Sequence, residues 1–290
     1  MVALDQREWR ERERRHRVRV EPWVAPRRER RSLGVSHPVD DFLFDYYPYS
    51  VGRLTAWHPG HGTLLRGDVR QFLAHPDYVS ADGGATTSPE RLARHRARLA
   101  LVEGLLSATA EREPQLGCFG MHEWAMVYGQ QPDQVRHNAH PLRLDPDDIA
   151  NAVTGVGLRC THFDAYRFFT PEAVPLNAHV PARATQPQFE QPGCLHATMD
   201  LYKYAQWFHP FVPSELVADC FDLARSARDL DMRASPYDLA DLGYDPIPVE
   251  TVAGRRTYVE HQAALADRGQ DLRLRLLRVV SHLLGLSDQE

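Results

Sequence analysis

Residues Gly193 to Phe208 constrain this chain more than any other stretch. Leu195, Met199, Leu201, Tyr202, Tyr204, Trp207 and Phe208 leave almost no polar face, so a helix here has to be buried nearly all round. Yet the same segment carries His196, Asp200 and Lys203, which share one helical face at i, i+4 and i+7. Ionisable groups on a buried helix are costly unless they are paired, metal-bound or catalytic. Lys203 is also the sole lysine in a chain with 33 arginines. A compact, titratable ammonium is not interchangeable with a guanidinium. That marks Lys203 for holding substrate charge or forming a Schiff base, with a structural pair to Asp200 as the plainer alternative.

Helical periodicity dominates the rest. Ser88-Pro89-Glu90 opens an amphipathic helix to about Glu111, with Leu92, Leu99 and Leu106 on one side. Asp145-Pro146 caps a short helix, Ser214-Glu215 opens another to about Leu230, and residues from Arg255 onward read as one or two more. A helix is expected from Ser36 to about Trp57, then loop through Gly84. Leu158 to Phe169 fits a strand or a buried helix equally well. With few strand signals, the expected fold is mainly α: a single compact helical domain over residues 35–290, with few short strands, preceded by a basic N-terminal arm at 1–34.

Charge and composition exclude several classes. Residues 1–31 hold 11 Arg against 6 acids, leaving a net of about −10 on the remainder of a chain whose total is −5. The arm would touch phosphate or, because its acids interleave with its arginines, simply pack on the body through Trp9, Val18, Val20 and Trp23. No run approaches the ~18 apolar residues of a membrane span. The four cysteines are scattered without a CxxC pair, so neither a zinc ribbon nor a disulfide framework is expected, and the expected compartment is the cytoplasm. No nucleotide cofactor is expected, since glycine-rich phosphate loops are absent.

Three stretches couple a histidine to a carboxylate within apolar sequence: His122-Glu123, His162-Phe163-Asp164 and His196 with Asp200. Imidazole plus carboxylate is the ligand set of Zn²⁺ and of non-haem Fe(II). In an extended segment His162 and Asp164 would face the same way, with His196 as the third ligand. Glu123, His122 and Asp200 would then orient imidazoles or act as general acid and base. Arg143, Arg159 and Arg167 are candidate anion clamps. Tyr46, Tyr47, Trp57, Trp124 and Tyr166 would line a pocket for a planar ligand or fill the core. His58 and His61 flank a Pro-Gly turn and would contact substrate or a second metal.

The blocks His37-Pro-Val-Asp-Asp-Phe-Leu-Phe, Gly117-Cys-Phe-Gly-Met-His-Glu-Trp-Ala-Met-Val-Tyr, Arg159-Cys-Thr-His-Phe-Asp-Ala-Tyr-Arg-Phe-Phe-Thr-Pro, Glu190-Gln-Pro-Gly-Cys-Leu-His-Ala-Thr-Met-Asp-Leu-Tyr-Lys and Leu230-Asp-Met-Arg-Ala-Ser-Pro-Tyr-Asp-Leu run through the whole chain. Together they resemble a bacterial family whose members are often labelled 3-methyladenine DNA glycosylase. That resemblance implies N-glycosidic hydrolysis of an alkylated purine in DNA, but assigns no catalytic residues. Thr154-Gly155-Val156-Gly157 is similar to the turn of a helix-hairpin-helix element, which would place Asp164 or Asp200 and Lys203 at the sugar. Three readings follow. The first is a metal-dependent enzyme, Fe or Zn, acting on a small polar or aromatic molecule, with His162, Asp164 and His196 as ligands. The second is the metal-free glycosylase with DNA as partner, and the third a non-catalytic protein that contacts nucleic acid.

Overall fold

The computed structural model describes residues 2–131, 134–135 and 140–287. Among them the chain forms thirteen α-helices and one four-stranded sheet, so the fold is mainly α. Its contacts divide it into two units, residues 1–106, 201–224 and 272–290 in the first and 107–200 with 225–271 in the second.

The first unit begins with β1 (Val2–Leu4), α1 (Gln6–Ser32), α2 (Phe42–Tyr46) and α3 (Val51–Thr55). After them come β2 (Thr63–Arg66), α4 (Arg70–Leu73), β3 (Tyr78–Ala81), β4 (Gly84–Thr87), α5 (Pro89–Ala93) and α6 (Arg96–Ala110). The basic N-terminal segment is α1, started by a capping box in which the Asp5 carboxylate accepts from the Arg7 and Glu8 amides and Glu8 accepts from the Asp5 amide. Trp9, His16, Val20 and Val24 make its buried face, whereas Val18, expected to pack, stays exposed. Many of its arginines are committed within the helix, Arg14 and Arg15 to Glu11 and Arg17 to Glu13.

Where loop is expected through Gly84, the chain builds a sheet of order β1-β2-β4-β3, with β1 parallel to β2 and the other pairs antiparallel. Asp82 and Gly83 both take positive φ, 44° and 75°, the turn that matches the twist of a two-residue hairpin. Leu4, Trp9, Trp57, Leu65, Phe72, Tyr78 and Ala85 form the core beneath it. The single helix expected after Ser36 is two short ones, α2 and α3, and the helix expected from Ser88 breaks between α5 and α6.

In the second unit lie α7 (Met121–Ala125), α8 (Pro146–Val156), α9 (Phe163–Tyr166) and α10 (Gln186–Phe189). Three long helices follow, α11 (Leu195–Trp207), α12 (Ser214–Arg233) and α13 (Val252–Ser287). The unit boundaries fall inside α6, α11, α12 and α13. Asp145 caps α8 by accepting from the Asp148 amide, and the helix continues through Thr154-Gly155-Val156 before Gly157 ends it at φ 82°. The expected hairpin turn is therefore the last turn of a helix. Along α11 the side chains are buried except for His196, Lys203 and Trp207, which are half-buried, in line with the near-total burial expected of that segment.

Candidate metal centre

Helix α7 is buried at every position, Met121 to Ala125. It is entered through two consecutive residues in the left-handed region, Phe119 at φ 51° and Gly120 at φ 70°. A Cβ on Gly120 would stand 3.2 Å from the Ala234 Cβ, so close approach as well as handedness calls for glycine there. Trp124, expected at a ligand pocket, is wholly buried and donates its indole N–H to the Ala234 carbonyl at 2.9 Å, with Arg143 over its ring. That bond ties α7 to the end of α12.

The tie brings His122 of α7 against Asp231 of α12. Their Nε2 and Oδ1 atoms are 2.9 Å apart, both buried, and neither makes an aligned hydrogen bond. At 2.9 Å the distance allows a hydrogen bond, so it is the angle between the two groups that falls short. His196 of α11 closes the group. Its ring centroid is 4.5 Å from that of His122, and the ligating atoms of His122, His196 and Asp231 all lie within 4.8 Å of one another. The other Asp231 oxygen accepts from Arg228 at 3.1 Å, and the same guanidinium nitrogen reaches Glu123 at 3.1 Å.

Electrostatics within the trio settle where its proton sits. Burial works against charge on His122, but the Asp231 carboxylate, aided by the Cys118 side chain, outweighs it and holds the imidazole pKa well above its ordinary value. Burial likewise opposes charge on Asp231, yet His122, His196 and Arg228 keep its carboxyl far below the usual range. His196 goes the other way: burial, and then the positive charge on His122, drive it well below the ordinary value. The charged forms are thus favoured on His122 and Asp231, and the neutral imidazole on His196. Burial raises the neighbouring Cys160 and Cys194 thiols, so neither supplies a thiolate.

His162 lies beside the trio and outside it. Its ring stacks on His196 at 5.3 Å, and its Nε2 faces Asp200 at 3.3 Å and Glu190 at 3.7 Å without an aligned bond to either. The H-x-D expectation fails for Asp164. His162 is the N-cap of α9 and Asp164 lies in its first turn, so the pair is not extended and the carboxylate turns to Arg167 at 2.6 Å. Of the expected ligands the structure brings His162 and His196 together, leaves Asp164 aside, and adds His122 and Asp231.

Other expected site residues lie elsewhere. Arg159 and Arg167 are exposed, Tyr166 is half-buried on Phe169, and Arg143 is taken by Glu250. Lys203, in the first unit, sets its ammonium over the Tyr204 ring at 4.8 Å. His58 and His61 also belong to the first unit, where His61 bonds the Thr87 hydroxyl.

Asp231 is the member of this candidate group that the sequence expectations did not include. A signal was present. Val217, Phe221 and Ala224 mark the buried stripe of α12, and Arg228 and Asp231 continue it at the same spacing of four and three. Two charges on an apolar stripe are a reason to look for a shared site. Compared with protein-family models, with curated proteins and with solved structures, the chain finds no match.

Proposed function

We propose that the second unit holds one divalent metal ion on His122, His196 and Asp231, and that the protein is a metal-dependent enzyme for a small polar or aromatic substrate. Two imidazoles and one carboxylate form the ligand set of non-haem Fe(II) and of catalytic Zn²⁺, and this set leaves coordination positions for water or substrate. The carrying observation is the unaligned pair. Two donor atoms about 2.1 Å from one ion, roughly at right angles, lie about 3 Å apart; His122 Nε2 and Asp231 Oδ1 are at 2.9 Å. Their failure to bond to each other is the geometry expected of ligands aimed at an ion.

The surrounding residues fit that role. Arg228 fixes the free oxygen of Asp231, so the carboxylate presents Oδ1 to the ion, and Glu123 holds Arg228 in turn. His196 is the half-buried member of the three, with His122 and Asp231 buried. His162, backed by Asp200 and Glu190 and stacked on His196, stands where a proton donor or acceptor for bound substrate would be needed. The bound ion would polarise a substrate oxygen or acidify a coordinated water. The glycosylase alternative drew on a hairpin turn at residues 154–157 that the fold makes helical, and no observation favours it.

Metal analysis of protein purified without a histidine tag tests the reading. It predicts one equivalent of iron or zinc at this centre that His122→Ala, His196→Ala and Asp231→Asn each remove and Asp164→Asn does not. Folded protein holding less than about a tenth of an equivalent after growth with both metals, and taking up none on titration, would overturn it.

A further inference from the structure

Three histidines of the first unit, far apart in the chain, converge, and of them His58 alone is an expected site residue. His58 follows Trp57 in the turn before β2, His75 follows α4, and His209 lies between α11 and α12. The ring centroids are 4.3 Å apart for His58 and His209, 5.4 Å for His58 and His75, and 6.2 Å for His75 and His209. One ligating nitrogen from each lies within 4.8 Å of the other two. The Nε2 atoms of His58 and His209 are buried and have no hydrogen-bond partner. An imidazole nitrogen buried without a partner is costly, and two such atoms beside each other more so, unless something else occupies their lone pairs.

Two of the rings, His58 and His75, are held from behind. The His58 backbone is bound at both ends by Ser214, whose hydroxyl accepts the His58 amide proton at 2.8 Å while its own amide donates to the His58 carbonyl at 3.0 Å. Gly60, at φ 86°, lets the turn close onto Pro213, where any Cβ would meet the proline ring at 2.8 Å. On the ring itself, His58 Nδ1 lies 3.1 Å from the Tyr78 hydroxyl, which can accept its proton and leave Nε2 as the lone pair. His75 Nδ1 accepts the Asp77 amide at 3.2 Å and lies 3.8 Å from the Asp77 carboxylate. A shift of the His75 proton from Nε2 to Nδ1 turns that nitrogen to the carboxylate, the backing commonly found behind a metal-bound histidine. Phe72 closes the floor, edge-on to His58 at 6.2 Å. Arg53 is the nearby cation that opposes binding, and it is drawn onto Gln206 and the Tyr49 ring.

We propose that His58, His75 and His209 form a second metal site, a tris-imidazole site for Zn²⁺ or another late first-row cation. All three donors are neutral nitrogens with no carboxylate or thiolate among them, a set that suits zinc and copper and discriminates against Mg²⁺, Ca²⁺ and Mn²⁺. Three protein nitrogens leave the fourth tetrahedral position open, as in catalytic and not in structural zinc sites. The proposal is independent of the site on His122, His196 and Asp231.

The full-length chain, stripped of metal, is titrated with Zn²⁺ against a chromogenic chelator, in the parent and in His122→Ala, which isolates this site. The parent should show two classes of bound zinc and His122→Ala should keep the class assigned here. Adding His75→Gln, a half-buried position whose replacement spares the core, should weaken that class by about tenfold or more. Co²⁺ in the His122→Ala protein should give the intense visible bands of a tetrahedral site, and His75→Gln should abolish them. Unchanged zinc affinity and stoichiometry in folded His122→Ala/His75→Gln would overturn the site. So would the absence of any zinc or tetrahedral cobalt in folded His122→Ala. Failure of the first centre alone would show as loss of the other class, with this one intact.

Discussion

His122 Nε2 and Asp231 Oδ1 approach to 2.9 Å across the ends of two helices and still do not share an aligned hydrogen bond. The charge state of the pair has a measurable consequence. The Asp231 carboxylate, against the opposing effect of burial, keeps His122 protonated well above the ordinary imidazole range. A metal ion on these atoms must displace that proton. Binding should therefore release one proton at pH 7 and weaken about tenfold for each unit the pH falls. Calorimetry in buffers of different ionisation enthalpy counts the proton directly.

Arg228 makes a charged bridge in a buried place, joining Glu123 and Asp231 through one nitrogen. Arg228→Leu strands two carboxylates and should cost about 3–5 kcal/mol of stability, the usual penalty for removing one partner of a buried ion pair. Chemical denaturation measures it. Adding Glu123→Gln should recover part of the loss, because one of the stranded charges is then gone.

Gly120→Ala should cost about 1–2 kcal/mol from its left-handed φ of 70° alone, before any contact with Ala234. The expected signature is specific: metal affinity falls because α7 shifts His122, while α1 and the sheet of the first unit keep their hydrogen-exchange protection. Exchange mass spectrometry with zinc or iron titration reads both.

His16 predicts a pH dependence unrelated to metal. It is buried on α1 and donates from Nε2 to the Leu54 carbonyl at 2.8 Å. Burial holds its pKa below the ordinary value, with Arg19 and Arg17 pushing the same way and the Leu54 bond and Glu215 pulling back. The folded chain then binds fewer protons than the unfolded one. The stability from neutral His16 is full above about pH 6.5 and is lost as the pH falls below it, at up to about 1.4 kcal/mol per unit. His58, pushed down to about 3 by burial, and His209, to about 2, act with the same sign. Denaturant melts of metal-free protein from pH 7.5 to 5 should show the decline, and His16→Gln should flatten it by about one proton.

Much of the fold was readable where periodicity is strong. The burial of α11 follows from residues such as Leu195, Tyr202 and Phe208 alone, and the start of α8 from Asp145-Pro146. The sheet was hidden because its strands are three or four residues long, too short for alternation to register, although Asp82-Gly83 signalled its hairpin. At the candidate site, His122, His162, His196 and Asp200 were each visible as charge or imidazole in apolar sequence. What sequence could not supply was the local conformation of residues 162–164. An extended strand would have aimed Asp164 with His162, but a helix beginning at Phe163 aims it at Arg167. Asp231 was overlooked because a charged residue in the last turn of a helix looks like solvent-facing punctuation until the stripe it continues is followed residue by residue.

The indole of Trp124, two positions from His122, is bonded to the carbonyl of Ala234, three positions from Asp231. An ion seated on the two ligands bears on the helices that this bond joins, and an indole's emission colour responds to the partner of its N–H. The molecule thus carries its own optical gauge: a spectral shift on loading, lost when Trp124 becomes phenylalanine, would follow occupancy of the centre without any added dye.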